Sequence, residues 1–155
     1  STHAGLALSN TSTHGHLLIV ENLLQRRRDI SSGDAGSALK EASENGHYLI
    51  VENLLQRRRD ISSEFAGLAL RFASKNGHCL IVEILLSFRT DISAEAVGEA
   101  LICASRNDHY SVVEKFFLNL RTDISPKALN SARKAAYVSG HSSMAEFLCR
   151  YSALK

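Results

Sequence analysis

The chain has 155 residues, 45% hydrophobic and 22% charged, with a net charge of +2. That balance fits one soluble globular domain and excludes attraction to nucleic acid or a membrane surface by net charge alone. The longest apolar run, near Leu17–Val20, is too short to cross a bilayer, and residues 1–16 lack the basic start and apolar stretch of a secretory signal.

Read from the N-terminus, the first recognisable element is GHLLIVENLLQRRRDISS, beginning at Gly15. GHYLIVENLLQRRRDISS begins at Gly46, 31 residues on, and matches it at 17 of 18 positions. GHCLIVEILLSFRTDIS follows at Gly77 and DHYSVVEKFFLNLRTDIS at Asp108, each after another 31 residues, the latter with one extra residue before Asp123. The last copy, GHSSMAEFLCRY, begins at Gly140. The chain therefore reads as a single domain of five units, over about 1–32, 33–63, 64–94, 95–126 and 127–155.

Each unit predicts two helices. In the second, Ala35, Ala38, Leu39 and Ala42 fall on one face of a helix. After Asn45-Gly46-His47, a second apolar face is formed by Ile50, Val51, Leu54 and Leu55. Gly46 breaks the chain between them because it enters the left-handed region cheaply. The first helix buries small residues and the second large ones, so stacked units should bring the first helices closer together and curve the array, with the first helices on its concave side. Ser31, Ser62, Ser93 and Ser125 stand where an N-cap belongs, and Pro126 suits the first helical position. Ile30, Ile61, Ile92 and Ile124 precede those serines, five residues before Ala35, Ala66, Val97 and Leu129, the spacing of a hydrophobic staple. The first helix of each unit should start just after the serine and run about 14 residues.

The stretch Leu39-x-x-Ala42-Ser43-x-x-Gly46-His47-x-x-Ile50-Val51-x-x-Leu54-Leu55 resembles the ankyrin repeat, and Asp60 falls on the family's turn aspartate. The resemblance recurs in all five units. It departs from the family in its shorter unit, in the absence of the TPLH signature, where Ser37-Ala38-Leu39-Lys40 stands instead, and in Arg58, Arg89 or Arg121 at the turn glycine. The expected fold is an all-α solenoid of five stacked helix–turn–helix ankyrin-like repeats, with the family's β-hairpins shortened or replaced by helix. The family resemblance implies a binding module.

Several recurring polar residues could carry chemistry. His16, His47, His78, His109 and His141 recur, but equivalents about 8–10 Å apart cannot share a zinc ion that needs ligands within about 2.1 Å. A bond to turn backbone at the start of the second helix is their expected role, and the resemblance implies the same. Glu21, Glu52, Glu83, Glu114 and Glu146 read as a solvated or structural ladder. Arg27, Arg58, Arg89 and Arg121 would align as a basic stripe at the C-terminal ends of the second helices, where cations complement the helix dipole. Asp29, Asp60, Asp91 and Asp123 dilute it, and no aromatic interleaves it for base stacking. Cys79, Cys103 and Cys149 form no CxxC pair and read as free thiols in a reducing, cytoplasmic-type compartment. No GxSxG, P-loop, GxGxxG or HExxH is present, so no enzyme activity, metal or cofactor is expected.

Some columns vary between units while the apolar faces recur, and variation at fixed scaffold marks candidate surface. These columns lie on or beside the first helices, giving a candidate concave partner-binding face of Asp34, Lys40, Glu44, Phe65, Arg71, Lys75 and Arg106. Phe65 and Phe72 read as either surface or core. The expected function is a monomeric scaffold or adaptor that binds another protein. Two alternatives are a binder of acidic ligands or nucleic acid through the arginine stripe, and a targeting segment of a larger multidomain protein. Arg133, where other units carry Leu39, Leu70 or Leu101, marks the fifth unit as a capping repeat, and the first unit has no comparable cap.

Overall fold

A computed structural model describes residues 3–118 and 124–152. Among them are ten α-helices and no strand: α1 (His3–Thr13), α2 (Leu17–Arg26), α3 (Ser32–Glu44), α4 (Tyr48–Arg57), α5 (Ser63–Asn76), α6 (Cys79–Phe88), α7 (Ala94–Arg106), α8 (Tyr110–Leu118), α9 (Pro126–Val138) and α10 (Ser142–Ser152). None of them is long and apolar enough to cross a membrane.

The helices begin where the serines place them. The Oγ of Ser31 accepts from the Asp34 amide, and the Asp34 carboxylate accepts from the Ser31 amide in return, a complete capping box. Ser62, Ser93 and Ser125 accept from the amides of Phe65, Ala96 and Ala128. Ile30, Ile61 and Ile92 just ahead are buried, as the staple spacing requires. The two helices of a pair are separated by a left-handed residue: Gly46 has φ +81° and Gly77 +79°. In the fourth pair Asp108 takes that conformation at φ +61°, a strained choice for a residue with a Cβ.

Two layers result. The odd-numbered helices pack each against the next along the chain, from α1 to α9, and the even-numbered helices from α2 to α8 do the same more loosely. Ala35, Ala38, Leu39 and Ala42 of α3 and Ile50, Val51, Leu54 and Leu55 of α4 are all buried, and the same columns are buried in the next pair. Small residues in the odd layer permit close approach: a Cβ on Gly67 would lie 3.0 Å from the Cβ of Ala96, and one on Gly98 would lie 2.8 Å from that of Ala128. Segments 27–31, 58–62 and 89–93 connect one pair to the next without strand structure.

Candidate binding surface

The recurring polar residues tie one helix pair to the pair before it. His47 donates Nε2–H to the carbonyl of Thr13 at 3.0 Å, His78 to Glu44 at 3.0 Å and His109 to Lys75 at 2.9 Å. A carbonyl only accepts, so each bond places the ring proton on Nε2. The bond spans to the preceding pair instead of staying within its own turn, which corrects the local role expected from sequence. The ring also covers the preceding glycine: a Cβ on Gly46 would meet the His78 ring at 2.8 Å. Gly-His is thus one device, a flat turn in one pair roofed by the imidazole of the next. At the fourth pair the turn residue Asp108 instead faces His141, with Oδ2 3.7 Å from Nδ1.

The middle arginines work at the other end of the pair. Arg58 makes two hydrogen bonds to Asp60, at 2.9 and 2.8 Å, and its Nη2 also donates to the carbonyl of Ile30 at 3.1 Å. Arg89 repeats this with Asp91 and the Ile61 carbonyl. Arg27 pairs with Asp29 in the same way but donates to no preceding carbonyl among the described residues. The arginine beside Asp29 holds that carboxyl down at about 2, and Arg58 and Arg89 lower Asp60 and Asp91. An arginine forked onto its own aspartate offers little to an outside phosphate; Arg58 and Arg89 clamp their pair to the one before, whereas Arg27 holds only Asp29 among the described residues. Arg121 lies outside the described residues. Glu21 and Glu83 also bridge pairs, to Asn53 Nδ2 at 3.1 Å and Lys115 Nζ at 2.7 Å.

The candidate partner-binding residues separate into two groups. Asp34 is 7% exposed, engaged in the α3 capping box and pressed against Gly5. Phe65 is half-buried, with its ring over Gly36, and belongs to the core. Asp34 is an interior joint, which corrects its expectation as surface, and Phe65, expected as either surface or core, packs against the core; their shared column varies because each fills the space over a glycine of the preceding pair. Lys40, Arg71, Lys75 and Arg106 instead gather on the outward side of α3, α5 and α7. Lys40 Nζ and Arg71 Cζ each lie 5.3 Å from the centroid of the Phe72 ring. Lys40 pairs with Glu41 at 2.8 Å and Arg71 with Glu99 at 3.5 Å. Arg71, Arg106 and Lys75 all act on the Cys103 thiol, although burial outweighs them and raises its pKa. Lys75 and Arg106 are exposed and have no ion pair among the described residues. Glu44, half-buried, lies at the same turn end.

A second row went unpredicted. Leu18, Leu49 and Leu80 stand at equivalent places in the first turn of α2, α4 and α6 and are 79%, 45% and 61% exposed. Tyr48 and Tyr110, in the neighbouring column, are also exposed. The row adjoins the turn end that carries Glu44, Lys75 and Arg106. The sequence did contain the signal: in Leu-Leu-Ile-Val, four consecutive apolar residues of one helix cannot share one face at 3.6 residues per turn, so one must point outward. Compared with known proteins, the chain matches no family model and no curated sequence.

Chemically, the surface offers apolar area, two cations without an ion pair among the described residues, and an aromatic ring with two further cations near its face. It gathers no three His, Cys, Asp or Glu side chains able to hold a metal ion among the described residues.

Proposed function

We propose that the chain is a short ankyrin-type α-solenoid and serves as a protein-binding scaffold, without catalysis of its own. The 31-residue period, the helix pairs and the pair-to-pair packing order support the repeat reading. The binding reading rests on one observation: exposed leucines recur at Leu18, Leu49 and Leu80 beside the unpaired cations Lys75 and Arg106. Apolar side chains aligned in a row, rimmed by charge, mark a contact site on a surface where single exposed leucines would carry no message. The partner would lie across the outward face of α3, α5 and α7 and the adjoining turn ends. It would present apolar side chains to the leucine row and carboxylates to Lys75 and Arg106. Cys79, Cys103 and Cys149 form no disulfide among the described residues, which suits a reducing compartment such as the cytoplasm.

The test is affinity capture with the wild type, Lys75→Glu/Arg106→Glu and Leu49→Glu/Leu80→Glu, each first shown to melt like the wild type. A protein retained by the wild type and lost by both variants supports the surface. Equal retention by all three overturns it. Retention on a polyanion column at moderate salt, abolished by Arg57→Glu/Arg59→Glu and unaffected by the leucine variant, would favour a nucleic-acid binder instead.

A further inference from the structure

The two ends of the helix stack differ, and the difference assigns a role to the first. The second and third pairs are each sealed onto the pair before by three contacts; the first of these recurs in the fourth and fifth pairs and the second in the fourth. The first is an aliphatic side chain: Ile50, Ile81, Val112 and Met144 are all 1% exposed or less. The second is the histidine bond to a preceding carbonyl made by His47, His78 and His109. The third is the arginine bond to the carbonyl of Ile30 or Ile61, which leaves the side chains of Arg58 and Arg89 16% and 13% exposed.

The first pair carries the same three residues with none of the contacts made. Ile19 is 49% exposed. His16 is exposed and its ring makes no hydrogen bond among the described residues. The Arg27 side chain is 50% exposed and has Asp29 alone among the described residues. At the far end the pattern is reversed. Gly5, Gly36, Gly67 and Gly98, which let the next pair approach, have Asn130 as their equivalent in the fifth unit, and the buried Leu8, Leu39, Leu70 and Leu101 have the exposed Arg133. An asparagine and an arginine in those places refuse a further pair.

We propose that the outward face of α1 and α2 is an open stacking surface whose occupant is one more helix pair of this same repeat type, set in line ahead of α1. The argument is continuity with an interface the molecule already repeats. Ile19 would be covered as Ile50 is, His16 would donate Nε2–H to the last turn of the added first helix, and Arg27 would clamp the carbonyl just before the α1 cap. The inference rests on the stacked-repeat part of the proposed function and is independent of its partner-binding part.

The test fuses a copy of residues 33–63 directly ahead of residue 2, which keeps the 31-residue register. The fused protein should melt at least about 5 °C higher, since an added nearest-neighbour interface raises the stability of the whole array. Ile19→Gln should shift Tm by no more than about 2 °C in the original chain, as at an exposed site, and should remove most of the gain in the fused one. The same copy fused behind residue 155 should give no rise. An unchanged or lowered Tm from the N-terminal fusion overturns the proposal. So does an Ile19→Gln effect of equal size in both proteins, or an equal rise from the C-terminal fusion. None of these outcomes bears on capture of a partner, so the two proposals fail separately.

Discussion

The odd-numbered and even-numbered layers are built from the same repeat yet hold together by opposite means. Between α5 and α7 and between α7 and α9 a glycine faces an alanine, and the helices approach until a single Cβ on Gly98 would collide with Ala128. Along α4, α6 and α8 the facing residues are Ile50, Leu54, Ile81, Leu85, Val112 and Phe116, all buried, and the helices stand further apart with side chains filling the gap. One layer is limited by room and the other by filling. The layers should therefore fail in opposite directions: the first when a residue is enlarged, the second when one is trimmed.

The largest effects test that contrast directly. Leu85→Ala, in the filled layer, should cost about 3 kcal/mol because it removes a fully buried side chain and leaves a cavity. Gly98→Val, in the tight layer, should cost about 2 kcal/mol by overpacking against Ala128. Urea unfolding with a constant m-value measures both. If Gly98→Val costs less than about 0.5 kcal/mol, the odd layer has slack and the contrast is broken.

The polar ties between pairs come next. His47→Ala removes the one side-chain donor to the Thr13 carbonyl found in the structure and should cost about 1.5 kcal/mol. His78→Ala should cost less, about 0.5–1 kcal/mol, because the Glu44 carbonyl keeps a second donor, Asn76 Nδ2, at 2.8 Å. His16→Ala, with no preceding carbonyl to lose, should be close to neutral. An equal cost at all three positions would mean that the histidines act within their own turns after all.

These ties also mark where sequence reading stopped. The 31-residue period, the serine caps, the Gly-His turns and the small-versus-large division of the two helices were all visible in the string. Those features depend on residues a few places apart on one helix or turn. The His47 bond to Thr13 and the Arg58 bond to Ile30 join residues 34 and 28 places apart, and a repeat pattern does not show whether a side chain reaches within its own unit or to the one before. The variable Asp34 and Phe65 misled for a related reason. Each packs on a glycine, Gly5 or Gly36, whose missing side chain accepts an acid in one pair and an aromatic ring in the next.

Acid should loosen the connections between pairs before it loosens the layers. Asp60 and Asp91 have folded pKa values lowered, chiefly by the hydrogen bonds from Arg58 and Arg89, from an ordinary value of 3.8. For a lowered carboxylate the stabilisation is fully present above the unfolded value and is lost as pH falls through the folded one. Stability measured against pH should thus be level from pH 7 to about 5 and decline below about 4. Arg89→Ala should flatten part of that acid limb as well as lower the plateau. A variant whose acid limb is as steep as the wild type would show that the Arg89–Asp91 pair does not set it.

The smallest expected effect has the opposite sign. Ser12, Ser43, Ser74 and Ser105 occupy one column of the odd layer and are fully buried. Ser105 Oγ donates to the Leu101 carbonyl at 2.7 Å, whereas the hydroxyls of Ser12, Ser43 and Ser74 have no hydrogen-bond partner among the described residues. A serine is small enough for this layer, so size explains its presence there but not its oxygen. Ser74→Ala keeps the close approach and removes a buried hydroxyl whose desolvation nothing offsets, so it should leave stability unchanged or raise it by up to about 1 kcal/mol. Ser105→Ala removes a hydroxyl together with its bond and should lower stability by about 0.5–1 kcal/mol. A loss at Ser74 as large as at Ser105 would mean that both hydroxyls bond the preceding helical turn. Opposite signs would show that the tight layer selects for volume first and tolerates a polar atom only because the residue around it is small.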